Sequence, residues 1–142
     1  MEQPCPSWSL LHHSSDIGVR GIGRTCEEAF EQAGIALTAI VTTPKNVFPK
    51  KEIVFKGEAP DREILFLDWI NSLIYEMSTQ KLLFSRFEVK IDGSHLSGKA
   101  WGEVIDSQRH QPAVEIKGAT LTLLKVTQEP DGHWIAQCIV DV

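Results

Sequence analysis

The sequence predicts an α+β fold in one domain spanning residues 1–142, with mostly antiparallel β-sheet of about seven strands packed against two α-helices. Three observations carry this expectation. A chain of 142 residues is long enough for one proper core and too short for two comfortable ones. Two segments space their apolar residues as helices do, each behind a capping residue. Most of the remainder alternates instead, with turn signals that join consecutive strands as hairpins.

Residues 17–23 alternate small and apolar side chains and read as a strand with close backbone approaches at Gly18, Gly21 and Gly23. In "TCEEAFEQAGIALTAIV", Thr25 and Glu28 form a capping box, and Cys26, Ala29, Phe30, Ala33, Ala36, Leu37 and Ile40 make one buried stripe. "TTPKNVFPKK" is a loop, and residues 51–57 follow as a strand. Asp61 caps the second helix, in "APDREILFLDWINSLIYEMS", whose Ile64, Leu65, Trp69, Ile70, Leu73, Ile74 and Met77 supply a wide apolar face. "LLFSRFEVKID" alternates, Asp92-Gly93 turns it, and residues 95–105 return. Residues 113–127 read as one long strand, turned by Pro130-Asp131-Gly132 into the last, 133–142.

A formal net charge of -5 argues against a face built to hold a phosphate backbone, so no direct stable nucleic-acid binding is expected. No signal-peptide pattern and no long apolar run is present, which predicts a cytoplasmic chain without a membrane partner. Cys5, Cys26 and Cys138 are odd in number and without paired spacing, so they indicate neither a disulfide framework nor zinc. They read as small hydrophobes rather than reactive thiols.

The acidic ends of the first and last of these strands need an explanation. Both faces of residues 134–142 are largely apolar, as in a strand covered on both sides, yet Asp141 sits near its end. The α-carboxylate of Val142 adds a second negative group beside it. Crowded anions are stable next to a cation, and Arg20, Lys117 or a metal ion are on offer. A chain end frayed into solvent is the other reading, and periodicity does not choose between them.

Five segments in order resemble the archease family. "HHSSDIGVRGIGRTCEEAFEQAGIAL" is similar to its opening, a His-Thr-Ala-Asp segment followed by a glycine-punctuated strand and a Thr-x-x-Glu-Ala-Phe helix start. "DREILFLDWINSLIYEMST", Gly102-Glu103, "EIKGATLTLLKV" and the terminal "VDV" resemble later family segments. Ser14-Ser15 departs from the usual Thr-Ala, and Gly118 stands where alanine is usual. The resemblance implies an accessory protein of RtcB-type RNA ligases, the enzymes that rejoin tRNA halves and repair broken RNA. Such a protein promotes ligase guanylylation and multiple turnover without being an enzyme itself. The resemblance further implies a divalent-metal site formed by Asp16, Asp141 and Val142, most simply for Ca²⁺, with Mg²⁺ or Mn²⁺ as alternatives. All-oxygen ligands suit such hard cations.

Other residues carry weaker signals. His12-His13 reads as a solvated or capping pair, Asp61 as an N-cap, and Trp8, Trp69, Trp101 and Trp134 as core or rim packing. Glu103 reads as an exposed strand carboxylate, with a functional contact as the alternative. Lys117 either neutralises the acidic site, meets a partner, or is a surface lysine lying along apolar neighbours. Two further functions are open: a metal-dependent hydrolase using Asp16, Asp141 and Glu103, and a chaperone-like or RNA-binding module.

Overall fold

Two antiparallel sheets share one core, and two long helices fill it. The computed structural model describes residues 5–142, so residues 1–4 of the expected domain lie outside the described residues. The strands are β1 Ser7–His13, β2 Asp16–Gly23, β3 Lys51–Glu58, β4 Leu82–Asp92, β5 His95–Val104, β6 Gly118–Ala119, β7 Lys125–Gln128 and β8 Trp134–Asp141. The helices are α1 Cys26–Val41, α2 Arg62–Gln80 and a single turn, α3 Ser107–His110. The first sheet runs β1-β2-β8-β6 with β7 also on β8, and the second runs β3-β5-β4. The α+β class and antiparallel pairing are as expected.

Both helix starts form as their sequences dictate. The Thr25 hydroxyl accepts the Glu28 N–H at 3.1 Å, and Asp61 accepts that of Ile64 at 2.8 Å. The Glu28 carboxylate reaches back one residue beyond the cap, taking the Arg24 N–H at 2.8 Å and pairing with its guanidinium. α1 buries Ala29, Phe30, Ala33 and Leu37, and α2 buries Leu65, Phe66, Trp69, Ile70 and Leu73. A run of edge-to-face aromatic pairs stitches the layers: Phe30–Phe66 at 5.0 Å, Phe55–Trp69 at 5.5 Å and Trp69–Phe87 at 6.3 Å. The buried Trp69 indole donates to the Phe30 carbonyl at 3.1 Å, tying α2 to α1.

Three expectations change. β1 is an additional edge strand. The segment 113–127 is not one strand but two short pieces, β6 and β7, lying on the same edge of β8. Ala119 faces Val140 while Lys125 faces Gln137, so six steps along one chain match three along the other. The surplus bulges outward and exposes Leu121 and Leu123, the latter at φ 55°. Cys5 is exposed, whereas burial pushes the thiol of Cys26 up to about 11 and that of Cys138 up to about 12. No helix among the described residues is long and apolar enough to cross a membrane.

Candidate functional site at the acidic end of the first sheet

Four strands converge where β2 begins and β8 ends. β1 and β2 form a hairpin in which His13 faces Asp16 across the two-residue loop Ser14-Ser15. Ser14 takes φ 56° to close that loop, a left-handed backbone that L side chains adopt only rarely. β2 then runs antiparallel to β8 with Ile17 opposite Val140, which sets Asp16 opposite Asp141 one step further out. Directly opposed residues of such a pair share a face of the sheet. Two pairs inward on that face, the Arg20 guanidinium donates to the Gln137 side chain at 3.0 Å, confirming the register.

Asp16, Asp141 and Val142 are exposed, so this end of the sheet opens to solvent. Among the described residues neither Asp16 nor Asp141 takes part in an ion pair. Of the cations considered, Arg20 is engaged with Gln137, and Lys117 meets Asp141 through its backbone N–H, which donates to the Asp141 carbonyl at 2.7 Å. The Lys117 side chain is exposed and does not lie in the middle of a long strand. Behind the site, the Asn71 side chain of α2 accepts the Ala119 N–H at 2.8 Å, fixing β6 and with it the outer flank of β8. Sequence reasoning missed this contact; Asn71, a polar residue inside the apolar pattern of α2, is a feature that could have pointed to it.

No three His, Cys, Asp or Glu side chains among the described residues gather as a metal cluster. The acidic end therefore supplies two side-chain carboxylates, those of Asp16 and Asp141, with exposed Val142 next in the chain. A set of hard oxygens with room for water fits Ca²⁺, Mg²⁺ or Mn²⁺ and does not fit zinc, which favours Cys and His. His12 and His13 are exposed, as expected of solvated residues.

Glu103 overturns its reading as an exposed carboxylate. It lies on β5 in the second sheet at 7% exposure. Its carboxylate accepts the Arg109 guanidinium at 2.7 Å, the Phe48 N–H at 2.7 Å and the His110 ring N–H at 3.1 Å. The His110 Nδ1 accepts the Asp106 N–H at 2.9 Å, which leaves the ring proton on Nε2, facing Glu103. The Arg109 guanidinium above all, opposed by burial and aided by the Phe48 and His110 donors, holds the Glu103 carboxyl down to about 2. Saturated in this way, Glu103 is a latch that fastens the loop before β3 and the turn α3 onto β5. It does not join Asp16 and Asp141, and the three-carboxylate arrangement a hydrolase would need is not assembled.

Comparison with known proteins identifies the family over residues 8–142. Residues 8–142 match the model of the Archease protein family (MTH1598/TM1083). Protein archease of Pyrococcus furiosus is 38% identical over 139 residues, covering 95% of this chain and 98% of that protein. Its counterpart from Aeropyrum pernix is 32% identical over 143 residues, covering 97% and 99%. The solution structure of Methanobacterium thermoautotrophicum protein 1598 superposes with a TM-score of 0.83 at 31% identity, covering 96% of this chain and 99% of that one. The crystal structure of a Thermotoga maritima archease, described as a possible chaperone, has a TM-score of 0.57 at 20% identity over 100% of this chain and 98% of that one, a likeness of fold alone.

Proposed function

We propose, from the premise that this chain belongs to the archease family, that it is a non-catalytic activator of an RtcB-type RNA ligase. In this reading it promotes guanylylation of the ligase and its return to further turnovers. On the same reading, Asp16, Asp141 and Val142 hold a divalent ion, Ca²⁺ in the first instance. When bound, that ion supplies a hard, positively charged centre that attracts phosphate oxygens. The chain's own part is to hold two carboxylates opposite each other at an open strand end, leaving coordination positions for water or the partner. The net charge of -5 supports contact with the ligase protein rather than a grip on RNA.

The single observation that supports the reading is the register of β2 against β8: its outermost ladder pair is Ile17–Val140, so Asp16 and Asp141, both exposed and without an ion-pair partner among the described residues, are the next residues outward on the two strands. The test combines the protein, the ligase from the same source and GTP, and follows covalent attachment of GMP. Substoichiometric amounts of the native chain are expected to accelerate it. Asp16→Asn and Asp141→Asn chains, folded by circular dichroism, are each expected to lose roughly tenfold or more of that acceleration. Unchanged acceleration by both variants would reject the ion's role. Turnover of a small substrate by this chain alone would favour a hydrolase instead.

A further inference from the structure

We infer that the free edge of β3 is a strand-addition site for an extended, basic peptide segment of a protein partner. This rests on neither the aspartate pair nor the ligase reading. Among the described residues β3 is an outer strand of the second sheet and pairs only with β5. Its register with β5 is unbroken from Lys51 opposite Gly102 to Glu58 opposite His95, and one residue on, the Ala59 N–H donates to the Ser94 carbonyl at 3.0 Å. In an antiparallel ladder such bonds fall on alternate residues. Ile53, Phe55 and Gly57 therefore direct their backbone groups towards β5, and Glu52, Val54 and Lys56 direct theirs out of the sheet.

What lies beside that edge has the shape such a peptide needs. An open groove of roughly 570 Å³ separates β3 from α2, with Val54, Lys56 and Glu58 on the strand side and Asp68, Ser72 and Tyr75 on the helix side. The three helix residues fall at steps of four and three, one face of an α-helix. A groove between an edge strand and a helix is a recurrent seat for an added strand: main-chain bonds give affinity, and alternate side chains give selectivity. Val54 is 57% exposed and Tyr75 65%, so each offers an apolar surface to such a peptide.

The charges choose the occupant. Among the described lining residues are Glu58, Asp68 and Glu76 and one lysine, Lys56, whose ammonium donates to the Ser97 hydroxyl at 3.2 Å; Glu58 lies 3.5 Å from the His95 ring, which leaves Asp68 and Glu76 as the acids without a basic neighbour. Asp68 takes part in no ion pair among the described residues. Lysines or arginines at alternate peptide positions would meet these carboxylates, with apolar residues between them reaching Val54 and Tyr75. A second copy of this chain is the poorer occupant, because pairing β3 with β3 brings two acidic grooves together. Neither proline nor a bulge interrupts Lys51–Glu58, so the charged side chains of Lys51, Glu52, Lys56 and Glu58 are what keeps this edge from pairing indiscriminately.

The test is amide hydrogen exchange by NMR on the full chain, with acetyl-Lys-Val-Lys-Val-Lys-Val-amide as probe and the same peptide with Glu for Lys as control. Saturation with the basic peptide is expected to slow the Val54 and Lys56 amides by about tenfold or more. Asp68→Lys is expected to weaken peptide binding by about tenfold. Val54→Pro removes one outward N–H while leaving the β5 ladder intact, a change an edge strand tolerates, and is expected to abolish the protection of Lys56. Should the proline variant fail to fold, Asp68→Lys carries the test. No slowing by the basic peptide, equal slowing by the acidic one, or slowing that follows protein concentration without peptide would each overturn the proposal.

Discussion

A Gly21→Ala chain is expected to lose about 4 kcal/mol of stability or more, lowering the melting temperature by roughly 15 °C. Gly21 lies mid-strand in β2, between Trp8 of β1 and Ala136 of β8. A Cβ there would lie inside the van der Waals shell of the Ala29 carbonyl oxygen and 2.5 Å from the Ala33 nitrogen. Both atoms belong to the backbone of α1, so no side chain can swing aside. Either the helix lifts from the sheet or β2 shifts against β8. The second outcome also parts Asp16 from Asp141, coupling this core position to the candidate site. Gly57→Ala is the control, since its Cβ would meet the nearest atom at an ordinary 3.7 Å. Thermal and urea denaturation of the two variants should differ by several kcal/mol.

Glu103→Ala is the second large effect, with an expected loss of about 3 kcal/mol at neutral pH. The substitution leaves the His110 ring N–H and the Phe48 N–H without their acceptor, and His110 is 3% exposed. Its pH dependence has a definite sign. The folded carboxyl is held down to about 2 from an ordinary 4.5, so its contribution is complete above the higher value and fades as pH falls through the folded one. Urea midpoints of native and variant chains should therefore lie furthest apart near pH 7 and converge between pH values of about 5 and 2. A constant gap across that range would show that Glu103 acts by packing alone.

The helices and the second sheet were legible because their signals are local. Thr25, Asp61 and the apolar stripes behind them act within a few residues, and Gly93 closes its hairpin at φ 61°. β1 escaped because an edge strand half exposed along its length, "SWSLLHH", has no need to alternate. The break between β6 and β7 escaped for the opposite reason. Leu121 and Leu123 continue an alternating pattern, yet the register slip that turns them to solvent is a property of the pairing with β8. Glu103 looked exposed among small neighbours because its partner Phe48 is far away in sequence and Arg109 and His110 sit on an unforeseen turn. Asp16 and Asp141 were suspect as carboxylates at strand ends, but their juxtaposition depends on register and came from family resemblance rather than from spacing.

Calorimetric titration of Ca²⁺ into the native, Asp16→Asn, Asp141→Asn and doubly substituted chains tests the central claim most directly. One ion per native chain is expected, with each single substitution weakening binding by roughly tenfold or more. The double substitution should cost less than the sum of the two, because both side chains serve one ion. Undiminished affinity in either single variant, or two independent and additive losses, would contradict the account.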